Sequence, residues 1–127
     1  MTMSARERKK KLSAICLALP DATREDMGED LGFKVGKKVF VYYLNNHHGD
    51  GIVGFWCKAL PGENTRLISA SPRKFYMPAY VGPRGWVGLR LDRPTVDWAE
   101  VGELVLASYL QIAPKKLAKR MEHSEVL

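Results

Sequence analysis

A glycine-rich loop is one feature of the chain that could do chemistry. Gly49-Asp-Gly-Ile-Val-Gly54 has the G-x-G-x-x-G spacing of a dinucleotide-binding loop. Such a site requires the turn to open a helix, because the amino end of that helix holds the pyrophosphate. Here the glycines lead into residues 52–58, which are rich in the β-branched and aromatic residues typical of a strand. Glycine loops between strands cover phosphates in kinases, but no other kinase motif follows, so the spacing predicts turn glycines.

Histidines and carboxylates could bind a metal ion. His47 and His48 are adjacent, and we expect their side chains to point apart, with no third ligand nearby in the sequence. Residues 21–30 hold five acids but lack the glycine-centred loop of an EF-hand, which favours a solvated acidic loop. No motif of a serine or cysteine nucleophile is present. We therefore expect a protein without catalysis, without a metal and without a cofactor.

Tryptophans close to basic residues are the remaining candidates. In a strand from Trp86 to Leu91, alternate side chains lie on opposite faces, so Trp86 and Arg90 share one face. Trp56 and Lys58 form a similar pair in another predicted strand. An uncovered face with these residues could stack bases and neutralise phosphates. The alternative is that the tryptophans pack against neighbouring loops.

Positive charge is concentrated in the middle of the chain and at both ends. The net charge is +6, and residues 31–91 hold nine bases and two acids. Acidic segments at 21–30 and 92–103 flank this basic stretch. Such segregation attracts an acidic partner, whereas solvated charges on a sheet surface are the alternative.

Basic residues at hairpin tips would contact phosphates, and Trp86 would stack on bases or wedge between them. Contacts to phosphates position a protein on nucleic acid and carry little base specificity. The predicted nucleic-acid-binding residues are Lys37, Lys38, Arg73, Lys74, Arg84, Trp86, Arg90, Lys115 and Lys116.

Helices at the two ends of the chain are predicted from caps and apolar spacing. Ser4 and Glu7 form a capping box, and Pro20 ends this first helix, whose basic residues 8–11 are expected to face water. Asp97 and Glu100 form a second box, which opens a helix. Its predicted inward residues are Trp98, Val101, Leu104, Val105 and Ile112. A short basic helix, residues 115–121, follows Pro114.

The middle of the chain is predicted to be mostly strands. Two strands within residues 32–44 meet at a turn near Gly36-Lys37, and residues 52–58, 74–81 and 86–91 form three more. Residues 61–71 are expected to be helical. The order α-β-β-β-α-β-β-α predicts a two-layer α+β fold, an antiparallel sheet of about five strands with helices on one face.

The chain of 127 residues is long enough for one domain with its own core, and we expect residues 1–127 to form it. It has no apolar run that could span a bilayer and no features of a signal peptide. Cys16 and Cys57 form no C-x-x-C pair and are expected to be buried thiols in a reducing compartment. We expect a monomeric, cytoplasmic protein of a bacterium, with no membrane association.

Several strings together resemble the MmcQ/YjbR-like family over residues 12–117. They are Phe33-Lys-Val-Gly-Lys-Lys-Val-Phe40, Pro72-Arg-Lys-Phe-Tyr-Met-Pro-Ala-Tyr80, Gly85-Trp-Val-Gly-Leu-Arg-Leu-Asp92, Val96-Asp-Trp98 and Ala113-Pro-Lys-Lys-Leu117. The resemblance implies a compact α+β fold of the secretion chaperone-like type. It also implies the DNA-binding role proposed for a "double wing" motif, and it brings no catalytic residues. The acidic segment before Leu31 counts against that role, because it would repel DNA if it lay beside the wings.

Two other function classes stay open at this point. A protein-interaction adaptor could present the Trp- and Tyr-rich sheet face to a protein partner. An enzyme would need a pocket, for which Tyr42, Tyr43 and Trp56 are candidate lining residues. Nucleic-acid binding is the leading prediction.

Overall fold

Ten helices and strands follow one another in the computed structural model, which describes residues 3–126, and the side chains of residues 3–120. They are α1 (Ala5–Leu17), β1 (Ala22–Met27), β2 (Asp30–Val35), β3 (Lys38–Asn45), β4 (Val53–Lys58), α2 (Glu63–Ala70), β5 (Phe75–Tyr76), β6 (Trp86–Arg90), α3 (Trp98–Ile112) and α4 (Lys115–Val126). The strands form one antiparallel sheet in the order β1-β2-β3-β4-β6-β5. The predicted α+β class is confirmed.

The main core lies between one face of the sheet and the helices α1 and α3. Alternate residues of each central strand point into it, as the period of two requires. Its sheet residues include Leu31, Phe33, Val41, Tyr43, Phe55, Cys57, Val87, Leu89 and Leu91, and its helix residues include Leu12, Cys16, Val101, Val105 and Tyr109. On α3, Leu104 and Trp98 are only partly buried and pack at the margin of this core.

The acidic segment forms a strand, not the predicted loop. Residues of β1 pair with β2 over their whole length, so the backbone gains a ladder of hydrogen bonds that local sequence does not reveal. The carboxylate of Glu25 lies 2.6 Å from Lys34 Nζ, and that of Asp26 lies 2.8 Å from Arg24. This edge strand is exposed from Thr23 to Met27, and its charges disfavour pairing with another sheet edge.

The predicted strand at residues 74–81 is much shorter than expected. Only Phe75 and Tyr76 pair with β6, because Pro78 has no amide hydrogen to donate and Tyr80 has a positive φ of 65°. The chain then turns through Gly82–Arg84, a single 3-10 turn, before β6 begins. The predicted turn at residues 82–85 is confirmed, and the segment before it is a loop.

The basic start of α1 does not face water throughout. Arg8 is buried, and its guanidinium donates to the carbonyl oxygens of Leu91 (2.5 Å), Arg93 and Pro94 (3.1 Å). It therefore fastens α1 to the chain that leaves β6. The capping box of Ser4 is present in full.

At the start of α3, only one of the two hydrogen bonds of the predicted capping box is present. Asp97 accepts from the Glu100 amide at 3.2 Å, but the Glu100 carboxylate pairs with Lys74 at 2.8 Å. The side chain of Glu100 therefore joins α3 to the start of β5 and does not close the cap. The basic helix α4 runs to Val126, five residues beyond its predicted end at residue 121.

Candidate nucleic-acid interface

Strand register gathers basic residues at one end of the sheet. The β2–β3 turn is closed by the pair Val35 and Lys38, and across β4 and β6 Lys58 pairs with Trp86. Because Val41 of β3 pairs with Cys57 of β4, the end of β4, the start of β6 and this turn lie at the same end of the sheet. The start of α4 is there as well, because Pro114 approaches to 4.0 Å of the position that a Cβ would take on Gly36. We call Lys37, Lys38, Lys58, Arg84, Lys115 and Lys116 the basic end.

The cations of the basic end are available to an external partner. Lys58 is half-buried and the other five residues are exposed. None of them has a carboxylate within 4.0 Å among the residues whose side chains the structure describes. Asp21, just before β1, is an acid at the outer margin of this end.

Three of the predicted contact residues lie at the opposite end of the sheet. The Arg90 amide donates to the Lys74 carbonyl at 2.9 Å, which places Arg73 and Lys74 beside the end of β6. Lys74 pairs with Glu100, and Arg90 pairs with Asp92 at 2.9 Å. Sequence reasoning therefore grouped residues that the structure separates.

The Arg90–Asp92 pair is a well-formed local interaction. Burial acts to raise the pKa of the Asp92 carboxyl, but hydrogen bonds from Arg90 and the Val53 amide outweigh it, and the pKa lies below its ordinary value. The hydrogen bond to Asp92 raises the pKa of Arg90. Arg90 is thus engaged within the fold, unlike the cations of the basic end.

The predicted uncovered face of tryptophans is covered. Trp56 and Trp86 are 7% and 8% exposed and form a second cluster with Leu44. The ring of Tyr76 lies over Gly88, where a Cβ would overlap it, and its hydroxyl accepts from Trp56 Nε1 at 3.0 Å. Trp86 is therefore placed for packing, and the prediction that it lies on an open face is wrong.

Tyr42 completes this cluster from β3, with ring centroids 6.2 Å from Trp56 and 5.8 Å from Trp86. Its neighbour Tyr43 points to the main core on the other face and is 1% exposed. The pocket that we considered for an enzyme, with both tyrosines and Trp56 in its lining, therefore does not form. The alternation of side chains along β3 separates the two tyrosines.

His47 and His48 do not point apart as expected. Their ring centroids are 4.0 Å apart, because His48 has a left-handed backbone with a φ of 53°. His47 Nδ1 lies 3.4 Å from the Asp30 carboxylate, which holds the ring beside Trp56. Within the part of the chain that the structure describes, no group of three or more His, Cys, Asp or Glu residues is arranged to hold a metal ion.

The acidic turn lies away from the basic end. Met27 pairs with Asp30, so Gly28 and Glu29 turn the chain at the far end of β1 and β2. Lys34 and Arg24 neutralise two of the neighbouring carboxylates. The acidic residues that would repel DNA beside the wings are therefore mostly at the opposite end of the sheet.

Lys58 was considered on the sheet face with Trp56 but was not among the predicted contact residues, although it lies at the centre of the basic end. Helix α3 holds the backbone of this residue on both sides. Ser108 Oγ accepts from the Lys58 amide at 2.9 Å and donates to the Phe40 carbonyl at 2.6 Å, and Gln111 Nε2 donates to the Lys58 carbonyl at 2.9 Å. These contacts join residues far apart in the chain, which no local pattern reveals.

A groove of about 720 Å³ opens beside Lys58, between the start of α2 and the turn that precedes β6. Arg84, Thr65, Met77 and Gln111 contribute to its lining. This groove lies beside the unpaired cations of the basic end, and a basic hairpin tip forms one of its walls. The basic end therefore includes a concave surface as well as exposed basic turns.

No helix within residues 3–126 combines the length and the apolar character needed to cross a bilayer.

Comparisons with known proteins identify the family. The model of the YjbR family matches residues 17–111. The crystal structure of the Deinococcus radiodurans protein DR2400, a DUF419 domain, is similar in fold, with 24% identity and a TM-score of 0.67. That match covers 82% of this chain and 77% of the Deinococcus chain. No match to a curated protein reaches significance. Since the family model spans well over half of the sequence and the solved structure shares its fold, the chain belongs to the YjbR family.

Proposed function

We propose that this protein is a small, non-catalytic nucleic-acid-binding module that contacts phosphates through the basic end. The observation that carries the proposal is the presence of six cations at one end of the sheet with no carboxylate partner among the described side chains. Cations that the fold itself uses, such as Lys74 and Arg90, pair with acids instead. Unpaired cations on one surface favour an external polyanion.

This footprint, meaning the set of residues proposed to contact the nucleic acid, differs from the one predicted from the sequence. Lys37, Lys38, Arg84, Lys115 and Lys116 remain in it, and Lys58 joins them. Arg73, Lys74 and Arg90 leave it because they lie at the opposite end, and Trp86 leaves it because it is buried. In the double-wing interpretation, the wings are the β2–β3 turn and the turn at residues 82–85, which lie at the same end. DNA binding, a bacterial source and a cytoplasmic location are parts of this proposal.

The test is fluorescence anisotropy of a labelled duplex DNA titrated with the protein at several salt concentrations. Because each neutralised phosphate releases counterions, we expect the logarithm of the affinity to fall linearly with the logarithm of salt, with a slope of about −0.9 per contact. Binding weaker than about 10⁻⁴ M at low salt would contradict the proposal, since non-specific binders reach roughly 10⁻⁴ to 10⁻⁶ M at physiological salt.

A protein-interaction adaptor is the other function that we considered for the sheet face. The Tyr76 ring and the loop residue Val81 cover that face, so it presents no broad aromatic surface to a partner. Nuclease treatment before a pull-down separates the two functions, because only a protein partner survives it.

A further inference from the structure

The walls of the groove at the basic end are fixed to each other. Asn64, at the start of α2, is buried, and its Nδ2 donates to the Gly82 carbonyl at 3.0 Å and to the Trp86 carbonyl at 3.2 Å. The Ala59 amide donates to the Gly85 carbonyl at 3.0 Å across the floor. The groove is therefore held open by the fold itself, and its volume of about 720 Å³ is in the range of ligand sites.

Exposed apolar side chains lie on the chain segments that form this groove, and one of them, Met77, lines it. Of the exposed large hydrophobic residues in the described part of the chain, Leu60, Met77 and Tyr80 lie on the two segments that form its walls. Tyr80 is 82% exposed, and it lies on the loop of residues 77–85, both ends of which line the groove. Its backbone has a φ of 65°, which an aromatic residue adopts only where the surrounding structure imposes it.

The groove thus contains two cations, and the loop that forms one of its walls carries an exposed aromatic ring, Tyr80. Lys58 and Arg84 line it, and neither has a carboxylate within 4.0 Å among the side chains that are described. A ligand that uses both features carries a negative charge and a flat apolar group. Nucleotides have both, and aromatic side chains stack on bases of any sequence. In a duplex the bases stack on each other, so only a single strand offers a free base to such a ring.

We propose that the groove takes an unstacked nucleotide of a single-stranded nucleic acid, with its base against Tyr80 and Met77 and its phosphates at Lys58 and Arg84. This inference rests on the proposed function, because it assigns a strand preference to the same basic end. It makes Tyr80 the stacking residue in place of Trp86. An acidic peptide would meet the two cations but would leave the exposed ring without a function.

The experiment compares labelled oligothymidylate with a blunt duplex by anisotropy at one salt concentration. We expect the single strand to bind more tightly. Tyr80→Ala should lower its affinity about 5-fold or more, because a stacked base is worth roughly 1–3 kcal/mol, and should leave the duplex affinity unchanged. Thr65→Leu, which narrows the groove without changing charge, should weaken single-strand binding in the same way. Tyr80→Phe keeps the ring and should bind like the wild type.

Leu17→Ala is the matched control, since Leu17 is also an exposed apolar residue but lies on α1, away from the groove. Thermal melting checks that all variants fold. If both nucleic acids bind and Tyr80→Ala does not weaken the single strand, the groove inference is wrong and the proposed function stands. If neither binds, both are wrong. If oligoglutamate of equal charge displaces oligothymidylate as well as unlabelled oligothymidylate does, the site serves acidic peptides and the inference is overturned.

Discussion

At the scale of single residues, the contact between Tyr76 and Gly88 decides what the second face of the sheet can do. The Tyr76 ring occupies the space that a side chain at residue 88 would fill, and Gly54 leaves room for the hydroxyl, which lies 3.0 Å from the place of a Cβ there. Two glycines on neighbouring strands therefore form a flat floor for one ring. That ring covers Trp56, and its hydroxyl accepts the hydrogen bond of the Trp56 indole nitrogen.

Gly88→Ala should destabilise the protein by about 1–3 kcal/mol, because its methyl group would overlap the Tyr76 ring and force it away. Tryptophan fluorescence should move to longer wavelength as Trp56 and Trp86 become exposed. Urea melts give the free energy of unfolding. Gly102→Ala is the control, because a Cβ there meets no atom within 4 Å and alanine favours a helix by about 0.5–1 kcal/mol. Equal stability of the two variants would show that Tyr76 is not packed on Gly88.

Burial raises the pKa of Tyr76 to about 12, although the hydrogen bond from Trp56 acts to lower it. In the unfolded chain the phenol titrates near about 10, so its contribution to stability is fully present below that pH. The contribution is lost as the pH rises through the folded pKa. Between about pH 10 and 12, the wild type should therefore lose more unfolding free energy than Tyr76→Phe, which has no phenol to ionise. Parallel losses in the two proteins would contradict the assignment.

At the scale of elements, α3 is the helix that holds the basic end in place. Its last turns carry Ser108 and Gln111, which bind the Lys58 backbone, and Tyr109, whose hydroxyl donates to the Pro20 carbonyl at 2.7 Å. The helix therefore joins the end of α1, the sheet and the start of α4. A change in these turns should act on the interface through the position of Lys58.

Ser108→Ala should lower the unfolding free energy by about 1–3 kcal/mol, because it leaves the half-buried Lys58 amide and the buried Phe40 carbonyl without their partner. Urea denaturation measures the loss. The control is Glu103→Ala, an exposed position on the same helix, for which we expect a change within about 0.5 kcal/mol. A loss for Ser108→Ala no larger than for the control would show that the bridge is weak.

The local sequence was sufficient to predict some helices and strands and insufficient to predict others. Caps and alternation predicted α1 and the β2–β3 hairpin, because those signals act between near neighbours. The strand β1 was missed because its charged residues gain their hydrogen bonds from β2 and not from their own pattern. The cover of Trp86 was predicted only as an alternative for the same kind of reason, since it depends on the pairing of Tyr76 with Gly88 across the sheet.

The candidate site was only partly predictable. The basic turn at Gly36-Lys37 and the turn at residues 82–85 carry glycine and proline at the positions that turns require, so their tips were expected. The end of the sheet at which each cation lies depends on the strand order. Because β5 runs antiparallel to β6, Arg73 and Lys74, which precede β5, lie at the opposite end from Arg84, which precedes β6. Lys58 and the groove depend on contacts from α3 that span fifty residues or more of chain.

At the scale of the whole molecule, charge is divided between the two ends of the sheet. One end carries the six cations of the basic end, and the other carries the acidic β1–β2 turn, cations that pair with Glu100 and Asp92, and Lys9 of α1, whose Nζ donates to the Glu29 carbonyl at 3.1 Å. A net charge of +6 alone would attract any polyanion in any orientation. Under the proposed function, this division would direct the basic end toward a nucleic acid.

A comparison of two charge-matched triple variants tests the role of the basic end most directly. One replaces Lys37, Lys38 and Arg84 with glutamine at the basic end, and the other replaces Arg73, Lys74 and Arg90 with glutamine at the opposite end. Both lose the same formal charge, and the anisotropy of labelled DNA across a salt series gives the affinity and salt slope of each. We predict that the basic-end variant loses about two to three units of slope, since each phosphate contact contributes about 0.9, and that the opposite-end variant keeps the wild-type slope. Equal losses in the two variants, or a larger loss at the opposite end, would contradict the assignment of the interface to the basic end.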